Sequence, residues 1–196
     1  MSHVHEGSAG ASNRVKALVA EFEAAGILTE RQLDDAVESF LAQAQPATGA
    51  RIVARAWVDP GFRARLLDDG NAAIEELGID LTHWAPVKLR VVANEARRHN
   101  LIVCTLCSCY PIALLGPSPS WYKSDAYRAR AVRDPRGALA EFGTSLPDDV
   151  TITVWDSTAE ARYLVLPQRP HGTGKASEAE LRALVTRNGM IGTALV

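Results

Sequence analysis

Three cysteines lie within six residues, Cys104-Thr105-Leu106-Cys107-Ser108-Cys109, and the chain has no others. A secreted disulfide scaffold spreads an even number of cysteines along its length, and core cysteines scatter. The bunching therefore needs a chemical reason, and any fold around it must bring three sulfurs to one point. A dithiol redox pair would use Cys104 and Cys107 but leave Cys109 unexplained. Pro111 and Pro117 also stand where the strand-to-helix setting of such a pair belongs. Structural zinc with His99 as fourth ligand runs against the usual pairing of ligands from two separated knuckles. Three inert thiols in a turn would be coincidence.

The remaining reading is a chelate that uses backbone as well as sulfur. With the sulfurs of Cys107 and Cys109 on one metal, the peptide nitrogens of Ser108 and Cys109 can complete a plane of two sulfurs and two nitrogens. Every chelate ring then has five or six members, and Cys104 can cap the plane from below. The sixth position stays open for water or substrate, as a catalytic metal requires. Proline at 108 or 109 would forbid this, and neither is proline. Amide deprotonation is repaid only by a strongly Lewis-acidic ion, which favours trivalent iron or cobalt over zinc or magnesium. Thiolates held there in the presence of oxygen can also climb the oxidation ladder.

The 196 residues suffice for one domain with a core plus an arm, and the formal net charge of -2 argues against nucleic acid or an anionic membrane as main partner. No run of about 18 apolar residues exists to span a bilayer. Met1 to Asn13 lacks the apolar centre of a signal peptide, so a cytoplasmic location is expected.

Along the chain, 1–12 reads as a flexible tail and 13–45 as a two-helix arm. Val15, Leu18, Val19, Phe22 and Ala25 recur at helical spacing up to Gly26. Thr29 then caps a helix with Leu33, Ala36, Val37, Phe40 and Leu41 on one face. The arm could be an ordinary helical hairpin on the chain's own core or a docking element for a partner chain. Residues 46–196 read as the metal-binding catalytic domain. Gln45-Pro46 to Gly49 reads as a break and 50–78 as helical, with starts at Asp59-Pro60 and Asn71. Strands are expected at Lys88–Ala93, Leu101–Val103, Thr151–Trp155 and Tyr163–Val165. Pro111–Ser120 reads as a loop, Tyr127–Phe142 as helix broken at Asp134-Pro135, and Ser177–Thr186 as a capping-box helix. Helices followed by mixed strands and helices predict an α+β fold, a helical arm before a layered α-β-β-α domain.

The run Val103-Cys104-Thr105-Leu106-Cys107-Ser108-Cys109-Tyr110-Pro111 resembles the metal-binding signature of the nitrile hydratase alpha subunit. His99-Asn100, Leu115-Gly116, Trp121-Tyr122-Lys123, Tyr127-Arg128-Ala129-Arg130, Val132-Arg133-Asp134-Pro135-Arg136, Val154-Trp155-Asp156-Ser157 and Met190-Ile191-Gly192 extend it. The resemblance implies a centre held by Cys104, Cys107, Ser108 and Cys109, with Cys104 axial. It further implies oxidation of Cys107 to a sulfinic and Cys109 to a sulfenic acid. Thr105, where iron-type members carry serine, points to low-spin non-corrin Co(III) rather than Fe(III). A beta-type partner, one chain or split into two, is implied, with arginines on the oxidised sulfurs, as is an activator that loads the metal. The chain alone is then expected to be inactive, and 13–45 resembles the arm that embraces the beta chain.

The implied reaction hydrates a nitrile to its amide, with Cys107, Ser108 and Cys109 as the catalytic residues. The metal either polarises the nitrile or orients a hydroxide. Either the sulfenate of Cys109 or a water it activates supplies the oxygen. Tyr110 is placed to contact substrate or the oxidised sulfurs, with a structural phenol as the competing role. Two departures stand out. Ile112 and Ala113 replace the tryptophan and proline common after Pro111, so a pocket reshaped for bulky or heteroaromatic nitriles is expected at Ile112; repacking against a different beta chain is the alternative. Glu95-Ala96-Arg97-Arg98 replaces an uncharged turn and reads as a solvated or subunit-facing one. Trp121 and Tyr122 read as loop core. Arg128, Arg130, Arg133 and Arg136 read as structural ion-pair residues, with bridges to the beta chain as the alternative, and His83 and His171 as surface residues. Rival functions are the catalytic subunit of a thiocyanate hydrolase, a metal-storage or chaperone module, and a non-catalytic assembly subunit.

Overall fold

Short polar side chains at helix entrances define where most helices begin. The computed structural model describes residues 5–79, 87–107 and 109–196, arranged as two units, Met1–Gln43 and Ala44–Val196. Ser108 and His83 lie outside the described residues. In the first unit, α1 (His5–Ala24) begins inside the stretch read as a tail and is followed by a turn at Gly26, whose φ is 66°. α2 (Glu30–Gln43) opens on a reciprocal cap. Thr29 Oγ1 accepts the Gln32 amide at 3.2 Å, and Gln32 Oε1 accepts the Thr29 amide at 2.8 Å. Val15, Leu18, Leu33, Val37 and Leu41 all stay exposed.

In the second unit, α3 (Pro46–Val58) starts at the segment expected to be a break. Pro46 occupies the first helical position, where its missing N–H costs nothing and its fixed φ suits the helix, so the proline opens the helix instead of interrupting it. Asp59 and Asp69 cap α4 (Pro60–Asp68) and α5 (Gly70–Glu75), accepting from the amides of Phe62 and Ala72. α6 (Ile112–Leu115) is a short helix within the segment read as loop, ended by Gly116 at φ 70°, and a 3₁₀ turn spans Ser120–Lys123. Ser124 caps α7 (Asp125–Arg133) and Asp134 caps α8 (Pro135–Glu141). The capping box of Ser177 and Glu180 opens α9 (Glu178–Leu184), and Thr186 caps α10 (Arg187–Ile191). No helix among the described residues is long and apolar enough to cross a membrane.

The strands are β1 (Lys88–Ala93), β2 (Arg98–Val103), β3 (Thr151–Asp156) and β4 (Ala161–Leu166). They form two parallel pairs, β1 with β4 and β2 with β3, so the pair of the two middle strands is enclosed in sequence by the pair of the two outer ones. α4 and α5 pack on β1 and α10 on β4, α7 packs on β2 and α8 on β3, and β2 faces β1 and β4. The order helix, sheet, sheet, helix is the expected α+β layering. Leu101, Ile102, Val103, Leu164 and Val165 lie buried between the layers, each contributing roughly 1.5–3 kcal/mol by leaving water.

β2 begins three residues earlier than expected, because Arg98-His99-Asn100 is a polar strand opening with a buried network. Asn100 donates to the Ala93 carbonyl at 2.8 Å and to Asn94 Oδ1 at 3.0 Å, and Trp155 Nε1 donates to Asn100 Oδ1 at 2.9 Å. Asn94 Nδ2 donates to His99 Nδ1 at 3.2 Å, and His99 Nε2 lies 2.7 Å from the Gly192 carbonyl. An amide nitrogen only donates and a carbonyl only accepts, so the neutral imidazole carries its proton on Nε2. Burial pushes the His99 pKa below its ordinary 6.5, against the opposing pull of the Gly192 carbonyl. The neutral ring's contribution to stability is therefore full above pH 6.5 and is lost as pH falls through the depressed folded value. Urea midpoints of the wild type should fall between pH 6.5 and 5 more steeply than those of His99→Gln. Parallel profiles would refute the assignment.

Candidate metal centre

The cysteine loop leaves the C-terminal end of β2, beside the end of β3. Val103 pairs with Asp156 across the two strands, and the Ser157 amide donates to the Val103 carbonyl at 2.8 Å. Cys104 follows immediately and is buried, while Cys107 is exposed and Cys109 lies between. The chain turns back so that the Cys107 amide donates to Cys104 Sγ at 3.3 Å. Cys104 Sγ then lies 3.5 Å from Cys107 Sγ, and Cys107 Sγ 3.2 Å from Cys109 Sγ. All three sulfurs fall within 4.8 Å of one another, and none is in a disulfide.

The loop is held in this shape from outside, by side chains that take its backbone groups. Asp156 accepts the Thr105 amide at 2.9 Å and also the Thr105 hydroxyl. Tyr122 Oη donates to the Cys109 carbonyl at 3.0 Å, Tyr127 Oη to the Ile102 carbonyl at 2.7 Å, and Arg128 Nη1 to the Cys107 carbonyl at 3.1 Å. Beneath lies an aromatic layer. Tyr110 meets Tyr122 edge-on at 5.0 Å, and Trp121 meets Tyr127 at 4.8 Å and Phe142 at 4.6 Å. Burial raises the pKa values of Tyr110, Tyr122 and Tyr127, so all three phenols remain protonated.

Of the residues expected at the site, Cys104, Cys107 and Cys109 converge. Tyr110 adjoins them in sequence but is buried, and its hydroxyl finds no partner among the described residues. Ile112 opens α6 and is half-buried against the core. His99, considered as a zinc ligand, has both ring nitrogens engaged elsewhere and does not join the cluster. Trp121 and Tyr122 are loop core, as read. Arg130 pairs with Asp134 and Glu141 at 3.4 Å each, and Arg136 donates to the Leu146 and Val150 carbonyls at 2.8 Å, both structural roles. His171 is exposed.

Sequence reasoning missed Asp156 and Arg128 as supports of the loop. Their signal was present in the family pattern, but no spacing rule ties a residue 51 positions away to Thr105. Desolvation, with help from Cys107, pushes the Cys109 thiol up to about 12 against the lowering influence of Arg162. Without a cation the sulfur keeps its proton.

Three gathered sulfurs at the end of a parallel strand pair are soft donors that could hold a thiophilic transition ion, the arrangement of a metal–thiolate site. The comparisons with known proteins give that class a family. Residues 9–194 match the family described as "Nitrile hydratase, alpha chain". The chain is 49% identical over 182 residues to the low-molecular weight cobalt-containing nitrile hydratase subunit alpha of Rhodococcus rhodochrous, covering 93% of this chain and 87% of that one. It is 43% identical over 159 residues to the thiocyanate hydrolase subunit gamma of Thiobacillus thioparus, covering 76% of this chain and 65% of that one. Among solved structures, a double mutant of the Fe-type nitrile hydratase from Comamonas testosteroni Ni1 superposes with a TM-score of 0.87 at 41% identity, over 95% of this chain and 90% of that one. The chain belongs to the nitrile hydratase alpha-chain family.

Proposed function

We propose that this chain is the metal-carrying alpha subunit of a cobalt-type nitrile hydratase, which converts a nitrile to the corresponding amide together with a beta-type partner. The observation that carries the reading is the convergence of the Cys104, Cys107 and Cys109 sulfurs to within 4.8 Å inside the family's motif. The donor set fits the ion: three soft sulfurs close to each other, in a loop whose residues 108 and 109 both carry a peptide N–H. Cys104 would hold it from the buried side, with Cys107, Cys109 and the peptide nitrogens of Ser108 and Cys109 around it. Bound there, Co(III) supplies the Lewis acidity that activates a nitrile toward water. Cobalt is favoured over iron by Thr105 and by the cobalt-containing relative at 49% identity. Cys107 and Cys109, which are less buried than Cys104, are the sulfurs to which the family resemblance assigns oxidation to sulfinic and sulfenic acid. Because the Cys109 thiol is pushed up to about 12, loading must displace its proton.

A partner chain is supported by what this chain leaves open. Leu106, at the tip of the loop, is 86% exposed, and Val132 on α7 is 53% exposed beside a cleft of about 360 Å³ lined by Thr105, Arg128 and Arg133. The arm adds Val15, Leu18, Leu33, Val37 and Leu41. Exposed apolar surface on this scale suits a beta chain.

For the substrate, the relevant position is Ile112, at the start of α6, three residues beyond Cys109. An isoleucine there leaves more room than the tryptophan common in the family, which favours a bulky or heteroaromatic nitrile. The test is a panel of heteroaromatic and small aliphatic nitriles with thiocyanate included, assayed with the purified complex, alongside metal analysis and mass spectrometry of the cysteines. Expected are about one cobalt per chain, sulfur-bound oxygen, and higher kcat/KM on the heteroaromatic members. Ile112→Trp should shift that preference toward small nitriles by about 10-fold, the scale of a pocket change of a few methylenes. A wild type that prefers acrylonitrile would sink the substrate reading. Turnover of thiocyanate alone would favour the thiocyanate hydrolase reading, and zinc or no metal would favour a non-catalytic subunit.

A further inference from the structure

The arginine on α7 that reaches the cysteine loop does more than make an ion pair. Arg128 is largely enclosed, with its side chain 20% exposed. One arm of its guanidinium is held by Asp125, and the other donates to the Cys107 carbonyl oxygen at 3.1 Å. Its Nε is buried and finds no acceptor among the described residues.

The Cys107 carbonyl belongs to the peptide whose nitrogen is that of Ser108. A peptide is planar, and in the trans form its C=O and N–H point in opposite directions. A cation that fixes the oxygen on one side therefore turns the nitrogen to the other. The same unit is conjugated. When the nitrogen gives up its proton to solvent and bonds a cation through the freed lone pair, the negative charge is shared with the oxygen. A guanidinium at that oxygen then makes a charge-assisted hydrogen bond, stronger than the one it made to the neutral amide.

We propose that Arg128 is a positioning residue for the metal centre, fixing the Cys107–Ser108 peptide plane and compensating the charge that peptide acquires when its nitrogen becomes a ligand. The inference rests on the metal-centre reading above. It separates Arg128 from Arg130 and Arg136, whose contacts lie within the helical layer and its connections.

The test uses the full complex, loaded with cobalt, as wild type, Arg128→Gln and Arg128→Lys. Cobalt per chain, cobalt release to a chelator and the sulfur-to-cobalt charge-transfer absorption are measured, with partner co-purification as the check on folding. Arg128→Gln is expected to lose cobalt about 10–100-fold faster than wild type, the usual effect of removing a group that supports metal ligands. Its charge-transfer band should shift, and Arg128→Lys should restore part of both. A purely structural arginine would leave the band where it is. A loaded Arg128→Gln complex with wild-type retention and band would overturn this inference alone. Should the Gln variant fail to co-purify, Arg128→Lys decides: wild-type release and band in a residue that lacks the planar fork would overturn the proposal. A wild-type complex that takes up no cobalt would overturn the metal-centre reading and this inference with it.

Discussion

Cys109→Ala, purified with its partner under conditions that load the wild type, is expected to hold well under one cobalt per chain and to lose nitrile hydration. Cys109 contributes two donors to the proposed chelate, its sulfur and its peptide nitrogen. Alanine removes the sulfur and with it the ring that fixes the nitrogen. A Lewis acid is worth several kcal/mol of transition-state stabilisation, so kcat should fall by at least about 10³-fold at about 1.36 kcal/mol per decade. The fold should survive, because Cys109 is only partly buried and its carbonyl, the acceptor of the Tyr122 hydroxyl, is unchanged. Cys104→Ala should lose metal as well, but it also opens a space in the core, since Cys104 is 1% exposed. The comparison therefore separates ligand from packing. Cobalt content by elemental analysis and kcat on one nitrile decide it. A Cys109→Ala complex that keeps its cobalt and its rate would remove the sulfur from the mechanism.

The largest stability effect is expected far from the sulfurs in sequence, at Gly192. This residue ends α10 with φ at +92°, and a Cβ built on it would lie 2.0 Å from the Asn100 carbonyl oxygen and 3.1 Å from Leu101 Cα. No side chain fits such an approach without moving β2. Backbone strain and overpacking each cost about 1–3 kcal/mol, so Gly192→Ala should lose on the order of 4 kcal/mol. The Gly192 carbonyl is also the partner of His99 Nε2, and β2 leads straight into Cys104. A shift there should reach the loop. Urea unfolding should show a much lower midpoint or an insoluble protein, and cobalt loading should fall with it. A midpoint equal to the wild type would show that the helix end does not press on the strand as described.

Several of the helix starts were legible because capping is local. Asp59, Asp134 and Ser177 announce the helices they cap through side chains that reach only three residues ahead. Pro46 was misread because the same residue that breaks a helix interior suits its first turn. α6 was missed because a single turn beside prolines leaves no periodic pattern to see. The polar opening of β2 was missed because its hydrogen-bond partners, Asn94, Trp155 and Gly192, come from three different parts of the chain.

The chemistry divides along the same line. By itself the sequence showed that three sulfurs at the spacing of Cys104, Cys107 and Cys109 could reach one ion, since residues so close along a chain need only a turn to meet. It also carried the family pattern and the departure at Ile112. The tertiary structure decided the rest: the parallel pairing of β1 with β4 and β2 with β3, the carboxylate of Asp156 on Thr105, and the guanidinium of Arg128 on the Cys107 carbonyl. Those contacts join residues 21 to 51 or more positions apart. Only the packing of α7 and β3 against β2 brings them to the loop, and no local rule of spacing can do so.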